Sequence, residues 1–179
     1  PPSPPPPATP SPPPPSPPPP AGVVTTLVGS ATSGSADGTG TAASFNRPSG
    51  VAVSPDGGTV YVADFFNHLI RKIDTSDGAT TTLAGSGTGT FADGTGTAAS
   101  FSYPHGVAVS PDGGTLYVAD RHNHRIRAIV VDTGVTTTLA GSGTYGFADG
   151  PDPAASLNLP TGVAGCRPTA RRSTWRMRT

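Results

Sequence analysis

The sequence contains no glutamate and no glutamine, and only one cysteine, one methionine and one tryptophan among its 179 residues. A single cysteine excludes a disulfide within the chain and gives no indication of compartment. No apolar run is long enough to span a membrane. Gly, Thr, Val and Asp are abundant. This composition predicts strands and turns rather than helices.

Proline dominates the beginning of the chain, where it fills fifteen of the positions 1–20 and is interrupted only by Ser, Ala and Thr. Because proline lacks a backbone N–H, the segment 1–22 is expected to be a disordered polyproline II segment. "SPPPPSPPPP" resembles the hydroxyproline-rich modules of plant and green-algal cell-wall glycoproteins, which implies an extracellular or cell-wall location. Alternatively, the proline runs are ligands for SH3, WW or profilin-like domains in the cytoplasm.

The charges of the chain are unevenly distributed. Up to Gly165 there are six Lys or Arg residues and eleven Asp residues, a balance of −5, and five arginines after Gly165 restore neutrality. Nucleic-acid-binding domains carry a basic surface. The acidic body of the chain therefore predicts no nucleic-acid partner.

An internal repeat with a period of 56 organises this body. "GVAVSPDGGTVYVAD" (50–64) returns as "GVAVSPDGGTLYVAD" (106–120), without an insertion. "TTTLAGSGTGTFADG" (80–94) returns as "TTTLAGSGTYGFADG" (136–150) at the same spacing. A repeat of this length is typical of propellers and solenoids.

Each period contains four segments with the composition of strands, joined by short turns. In the first period they are Val51–Ser54, Thr59–Ala63, Leu69–Ile73 and Thr80–Ala84. Short connections predict an antiparallel meander, which is the shape of a propeller blade. Two blades are therefore expected, at about 50–86 and 106–142. The "TAASF" segment between them is expected to form one helical turn.

The repeat resembles the NHL repeat, which is named after an Asn-His-Leu triplet. The triplet is intact as Asn67-His68-Leu69, and the second copy keeps Asn123-His124. The resemblance covers about residues 23–164 and implies an all-β, partial β-propeller with two complete four-stranded blades. Such propellers serve mainly as binding platforms, which implies a non-catalytic scaffold for protein or glycan ligands, without a cofactor. The alternative is a fragment of a propeller enzyme, a metal-dependent lyase or lactonase-like protein, whose catalytic residues lie in missing blades.

Two further segments flank the blades. "VVTTLVGS" (23–30) aligns with the fourth strand of a blade, so it is expected to be an N-terminal strand that closes a propeller ring. Residues 165–179 stand where a third "VAVSPDGG" motif should continue. Back-translated with suitable wobble bases and read two bases later, they give Val-Ser-Pro-Asp-Gly-Ser-Thr-Leu-Tyr-Val-Ala-Asp. We therefore expect a frame-shifted tail on a truncated product, in a chain that begins with Pro rather than Met and self-associates through uncovered strand edges.

One group of candidate functional residues recurs in both repeats. The group consists of Asp64, Asn67, His68, Asp120, Asn123 and His124. Carboxylate and imidazole groups could form metal or acid–base sites. Recurrence at the same place in every blade favours a structural role instead. In that role Asp and Asn satisfy backbone groups in the turn between the second and third strands, and His packs beside them.

A second group differs between the repeats, so the fold does not require it. Its members are Tyr103, His105, Arg121 and His122. Binding residues are often the variable loop residues of a rigid scaffold. These four residues are therefore the candidates for ligand binding, and no residue is assigned to catalysis, a metal or a cofactor.

The nucleotide sequence across the codons for Ala164 and Gly165 tests the hypothesis of a shifted frame. We expect the transcript to encode Val-Ser-Pro-Asp-Gly in a frame offset by two bases, because the tail residues fix most middle bases of the new codons and all of them fit. A transcript without this motif in an offset frame would contradict the hypothesis.

Overall fold

The structure is a computed structural model that describes residues 22, 24–151 and 154–165. Within these residues the fold is all-β, with two five-stranded antiparallel sheets and short 3-10 turns. The proline-rich segment before Gly22 and the tail after Gly165 lie outside the described residues. The polyproline II segment and the frame-shifted tail therefore stay predictions.

The first sheet has the strand order β1-β5-β4-β3-β2, in which every neighbouring pair is antiparallel. Its strands are β1 Gly38–Thr39, β2 Pro48–Val53, β3 Thr59–Asp64, β4 Leu69–Asp74 and β5 Ala79–Ala84. A 3-10 turn follows β1 at Gly40–Ala42, and a second one at Phe65–Asn67 joins β3 to β4.

The second sheet repeats this arrangement in the order β6-β10-β9-β8-β7. Its strands are β6 Gly94–Thr95, β7 Pro104–Val109, β8 Thr115–Asp120, β9 Arg125–Val130 and β10 Val135–Ala140. The corresponding 3-10 turns lie at Gly96–Ala98 and Arg121–Asn123. Two propeller blades thus follow one another along the chain, as the repeat predicts.

The four predicted strands of each blade are confirmed, but each sheet has a fifth strand that the sequence did not indicate. Gly38 pairs with Thr80, and Gly94 pairs with Thr136, so the link before each blade adds a two-residue strand to its outer edge. A segment of only two residues, one of them Gly, gives little sequence signal for a strand. Its pairing depends on backbone hydrogen bonds to a strand that is distant in sequence.

The predicted closing strand over 23–30 requires a correction, because residues 24–30 lie outside any strand. Gly29 N donates to Gly40 O at 3.0 Å, and its counterpart Gly85 N donates to Gly96 O at 3.1 Å. Gly29 therefore makes the same contact that Gly85 makes directly after β5, the fourth strand of the first blade. A strand also needs a neighbouring strand that pairs with its backbone groups. In each blade the third strand pairs with the fourth, and the described residues provide no such strand beside residues 24–30.

The hydrophobic core lies between the two sheets. Side chains of β3, β4 and β5 on one side meet side chains of β7, β8 and β9 on the other. The main members of this core are Tyr61, Ala63, Ile70, Ala84, Phe101, Val107, Leu116, Val118 and Ile129. Val107 is 8% exposed because the first sheet covers it, whereas its counterpart Val51 is 63% exposed.

β2 and β7 are the innermost strands of the two blades. A glycine near the start of each of them, Gly50 or Gly106, allows this close approach of the sheets. A Cβ on Gly50 would collide with the carbonyl oxygen of His105, which belongs to the backbone of the neighbouring sheet. Gly162 lies at the same position one period after Gly106, and a Cβ on it would have no neighbouring atom within 4 Å.

Replacing Gly50 with Ala is expected to destabilise the packing between the sheets, because a backbone oxygen cannot move aside without shifting the strand. We expect a loss of about 1–3 kcal/mol in the free energy of unfolding, as for other overpacked sites. Urea denaturation followed by circular dichroism measures this loss. Gly162→Ala is the matched control and should have little effect, and equal losses in the two variants would contradict the interpretation.

Candidate ligand-binding surface

Asp64 organises the turn that follows β3. Its side chain is fully buried, and its Oδ1 accepts a hydrogen bond from Asn46 N at 2.8 Å. Its Oδ2 accepts hydrogen bonds from Asn67 Nδ2 at 2.8 Å and from Arg71 Nη1 at 2.9 Å. One carboxylate therefore holds the start of the first blade, the 3-10 turn and strand β4 together.

Arg71 extends this network into the link before the blade. Its side chain is fully buried, and Nη1 also donates to Ser44 O at 3.1 Å. Nη2 donates to Ala36 O at 2.9 Å and to Asp37 Oδ1 at 2.7 Å. A buried guanidinium requires partners of this number and charge. The link is thereby fixed against strand β4.

The second blade has the same network at the spacing of the repeat. Arg127 is fully buried and donates to Asp120 at 2.8 Å and to Asp93 at 2.6 Å. Asn123 donates to the same oxygen of Asp120 at 2.9 Å. The network therefore belongs to the repeat rather than to one blade.

The histidine of each triplet connects its blade to the next repeat. His68 Nδ1 accepts a hydrogen bond from Tyr103 N at 3.0 Å, and His124 Nδ1 accepts one from Leu159 N at 3.2 Å. Burial lowers the pKa of His68. A neutral ring with its proton on Nε2 fits this geometry, because Nδ1 must be free to accept.

Side chains from both blades form a cluster on one face of the molecule, called the upper face here, where each innermost strand begins. The upper-face cluster consists of Phe65, Phe66, Tyr103, His105 and His122. The Tyr103 ring lies 5.1 Å from Phe65, 5.6 Å from Phe66 and 4.5 Å from His122, between ring centres. The His105 ring lies 5.8 Å from Phe65. Aromatic contacts at these distances hold the blade boundary together.

Two arginines flank the upper-face cluster. The Arg47 guanidinium lies 4.9 Å from the centre of the Phe66 ring. Arg121 Nη1 lies 2.8 Å from His122 Nε2. Burial lowers the pKa of His122, and the positive charge of Arg121 lowers it further, which favours a neutral ring that accepts from Arg121.

A shallow depression of about 260 Å³ opens beside this cluster. It is lined by Arg47, Ser49, Phe65, Phe66 and His105. Across the described ranges, no group of three His, Cys, Asp or Glu residues has a metal-binding arrangement. No helix in the same ranges is long and apolar enough to cross a membrane.

The pattern of the NHL repeat family matches residues 45–73 and 101–129, which hold the three inner strands of each blade. The chain is an NHL-repeat protein of the β-propeller type. Its two NHL repeats therefore account for the two sheets and for the Asp, Asn and His positions that recur in them.

Two curated relatives match much of this NHL region. The chain is 36% identical over 130 residues to "Protein SUPPRESSOR OF QUENCHING 1, chloroplastic" of Arabidopsis thaliana, a match that covers 68% of this chain and 12% of that protein. It is 36% identical over 107 residues to "NHL repeat-containing protein 2" of Homo sapiens, covering 59% of this chain and 15% of that protein. The matched region is therefore a small part of each relative.

Among solved structures, an auxiliary nutrient binding protein from Bacteroides thetaiotaomicron is similar to the chain, with a TM-score of 0.58 and 26% sequence identity. The alignment covers 64% of this chain and 31% of that protein. The NHL blades described here thus correspond to about a third of a larger propeller-type structure.

The structure brings together the four candidate binding residues, which are among the positions that differ between the NHL repeats. Tyr103, His105, Arg121 and His122 all lie in or beside the upper-face cluster, and their role in ligand binding stays a prediction. Their counterparts in the first repeat share the same surface, and they are Arg47, Ser49, Phe65 and Phe66. The alignment of the two repeats in the sequence already identifies these counterparts.

The buried arginines and their outer partners were not predicted from the sequence. Arg71 and Arg127 recur at the repeat spacing, as do Asp37 and Asp93. Two signals in the sequence could have identified them. One is their recurrence at the repeat spacing, and the other is the alternation of side chains between the two faces of a strand. Arg71 is opposite Val62 on β3, so it points to the same face as that buried valine.

Replacing Arg71 with Met is expected to destabilise the first NHL blade strongly, because Asp64 would remain buried without its cationic partner. Removing one partner of a buried ion pair typically costs about 3–5 kcal/mol in the free energy of unfolding. The matched control is Lys72→Met on the same strand, where Lys72 is only half-buried. A change of about 0.5 kcal/mol or less is expected for this control. Urea denaturation of both variants measures the difference, and similar losses would refute the role of the network.

Proposed function

We propose that this NHL-repeat chain is a non-catalytic binding module and that the upper-face cluster is its ligand surface. The observation that carries the proposal is the convergence of four of the positions at which the two repeats differ. The side chains of both copies at these four positions meet across the blade boundary. A repeated frame with variable side chains in one place is the usual design of a binding platform.

Contacts between the blades hold this surface in a fixed shape. Ser49 Oγ donates to His105 O at 3.0 Å, and the backbone N–H of Tyr103 donates to His68. The Tyr103 ring lies 4.5 Å from the rings of both His68 and His122. A surface that is ordered before binding loses less conformational entropy when a protein or glycan ligand arrives.

The enzymatic alternative, a metal-dependent lyase or lactonase-like propeller, has less support. Such chemistry requires polar ligands that converge from the innermost strands of several blades. The innermost strand β2 instead exposes Val51 and Val53, which are 63% and 52% exposed. These side chains fit a packing surface better than a metal site.

We propose an extracellular or cell-wall location for the protein, with the proline-rich segment 1–22 as a stalk and the NHL region 23–164 as the binding unit. The Ser-Pro pattern of the segment supports this location. A cytoplasmic location is the alternative. Sugars linked to hydroxyproline in the native protein would distinguish the two.

The full chain can be tested against a glycan array and a displayed peptide library. The double variant Phe66→Ala/His122→Ala should lose binding of the captured ligands by about tenfold or more, because exposed aromatic residues at the centre of a surface carry much of the binding free energy. Lys72→Ala/Asp132→Ala, on the opposite face, is the matched control and should bind as the unaltered chain does. If no captured ligand depends on Phe66 and His122, the proposal is wrong.

A further inference from the structure

The exposed charges of the turns differ in sign between the two ends of the strands. Asp37 and Asp93 of the links are half-exposed but paired with Arg71 and Arg127 at 2.7 Å and 2.6 Å, and Asp149 is exposed in the link after the second blade. The upper face has three arginines at or beside the 3-10 turns and links, and they are Arg47, Arg121 and Arg125. The lower face is formed by the turns β2–β3, β4–β5, β7–β8 and β9–β10. Five aspartates lie in or beside these turns, and they are Asp56, Asp74, Asp77, Asp112 and Asp132.

The titrating side chains on each face respond to this separation. Burial raises the pKa of Tyr61, and the negative charges of Asp56 and Asp132 raise it further. On the upper face, the positive charge of Arg121 adds to the effect of burial on the pKa of His122. Carboxylates therefore lie near Tyr61 at the lower turns, whereas Arg47 and Arg121 lie beside the upper-face cluster.

The carboxylates closest in sequence to the upper-face cluster do not offset its arginines. Asp64 precedes Phe65, and Asp120 precedes Arg121, but both carboxylates are fully buried. Each is also paired with a buried arginine of its own blade, at 2.9 Å and 2.8 Å. The upper face thus presents cations, ring nitrogens and aromatic carbon to a ligand.

The depression beside the cluster has a shape that suits one apolar side chain. Its volume is about 260 Å³. This is smaller than the pockets that usually hold drug-sized ligands. Phe65 meets Phe66 at 62° and His105 at 90°, so the rings stand edge to face and do not form a flat platform. A sugar ring would stack best on a flat aromatic face, whereas a branched or aromatic side chain can fill this space.

Resting on the proposed function, we infer that the ligand of the upper face is an acidic peptide segment with a single apolar or aromatic anchor residue. The anchor enters the depression between Phe65, Phe66 and His105. Flanking carboxylates pair with Arg47 and Arg121 at its edge, where charged hydrogen bonds give orientation and speed of association. Basic segments are repelled by the same arginines.

Fluorescence anisotropy of short labelled peptides with the full chain tests this inference. The probe has one central Phe flanked by Glu residues, and it should bind with an affinity that falls as salt rises. A peptide with Gly in place of Phe and one with Lys in place of Glu should bind at least tenfold more weakly. Polygalacturonate, an acidic polymer without an apolar anchor, should compete poorly.

Variants locate the binding. Arg47→Gln and Arg121→Gln should each weaken binding about two- to fivefold, the range for an exposed ion pair. Phe66→Ala should weaken it about tenfold, as expected for an aromatic residue that contacts an anchor. Lys72→Gln removes one positive charge from the opposite side of the molecule and should leave binding unchanged. Circular dichroism and urea denaturation of each variant confirm that folding is retained.

Each result distinguishes this inference from the proposed function. If glycans, polygalacturonate or uncharged peptides bind in a Phe66-dependent way and the acidic peptide does not, the ligand class is wrong and the binding surface stands. If no probe depends on Phe66, both fail. If Lys72→Gln weakens the acidic peptide as much as Arg47→Gln does, the attraction is general and the inference is overturned.

Discussion

The fully buried guanidinium in each blade, Arg71 or Arg127, is the interaction on which the rest of the structure depends. A buried charge is costly to desolvate, and the network offsets this cost with two carboxylates and two backbone carbonyls around each arginine. The main consequence of this network is that it fixes the path of the link before each blade. The links are rich in glycine and have few side chains that could pack, so they would otherwise have many conformations. Because Arg71 bonds to Ala36 O and Ser44 O, the link can follow only one path along the outside of the blade.

This fixed path determines where the variable side chains lie. Asp64 accepts hydrogen bonds from Asn46 and from Asn67, so one carboxylate positions both the residue before Arg47 and the turn that carries Phe65 and Phe66. The NHL repeat thus supplies a frame of identical polar contacts at the end of each second strand. Substitutions beside the frame can change the surface without changing the fold.

The strands could be predicted from the sequence because β-branched residues and turn motifs mark their positions, and the repeat confirmed each one in a second copy. The fifth strand could not, because Gly38–Thr39 pairs through its backbone alone. Arg71 was also missed, because an arginine next to Lys72 in a strand suggests an exposed side. Consecutive residues of a strand point to opposite faces, so Arg71 and Lys72 do not share a side. The comparison of repeats found the variable positions, but their convergence across the blade boundary depends on the packing of β7 against β2.

The charge balance of −5 up to Gly165 is a sum over two faces, and the charges on each face have a different structural role. Asp56, Asp74, Asp77 and Asp112 accept hydrogen bonds within their turns. Asp56 accepts from Ser54 Oγ and Gly58 N, and these hydrogen bonds hold its pKa below its usual value. Asp112 makes the same contacts in the second blade, so these two charges belong to the repeated turn. A ligand that approaches the upper face encounters Arg47 and Arg121 instead. In a repeat protein, the charges that the turns require should therefore be set aside before composition is used to infer which ligands the protein binds.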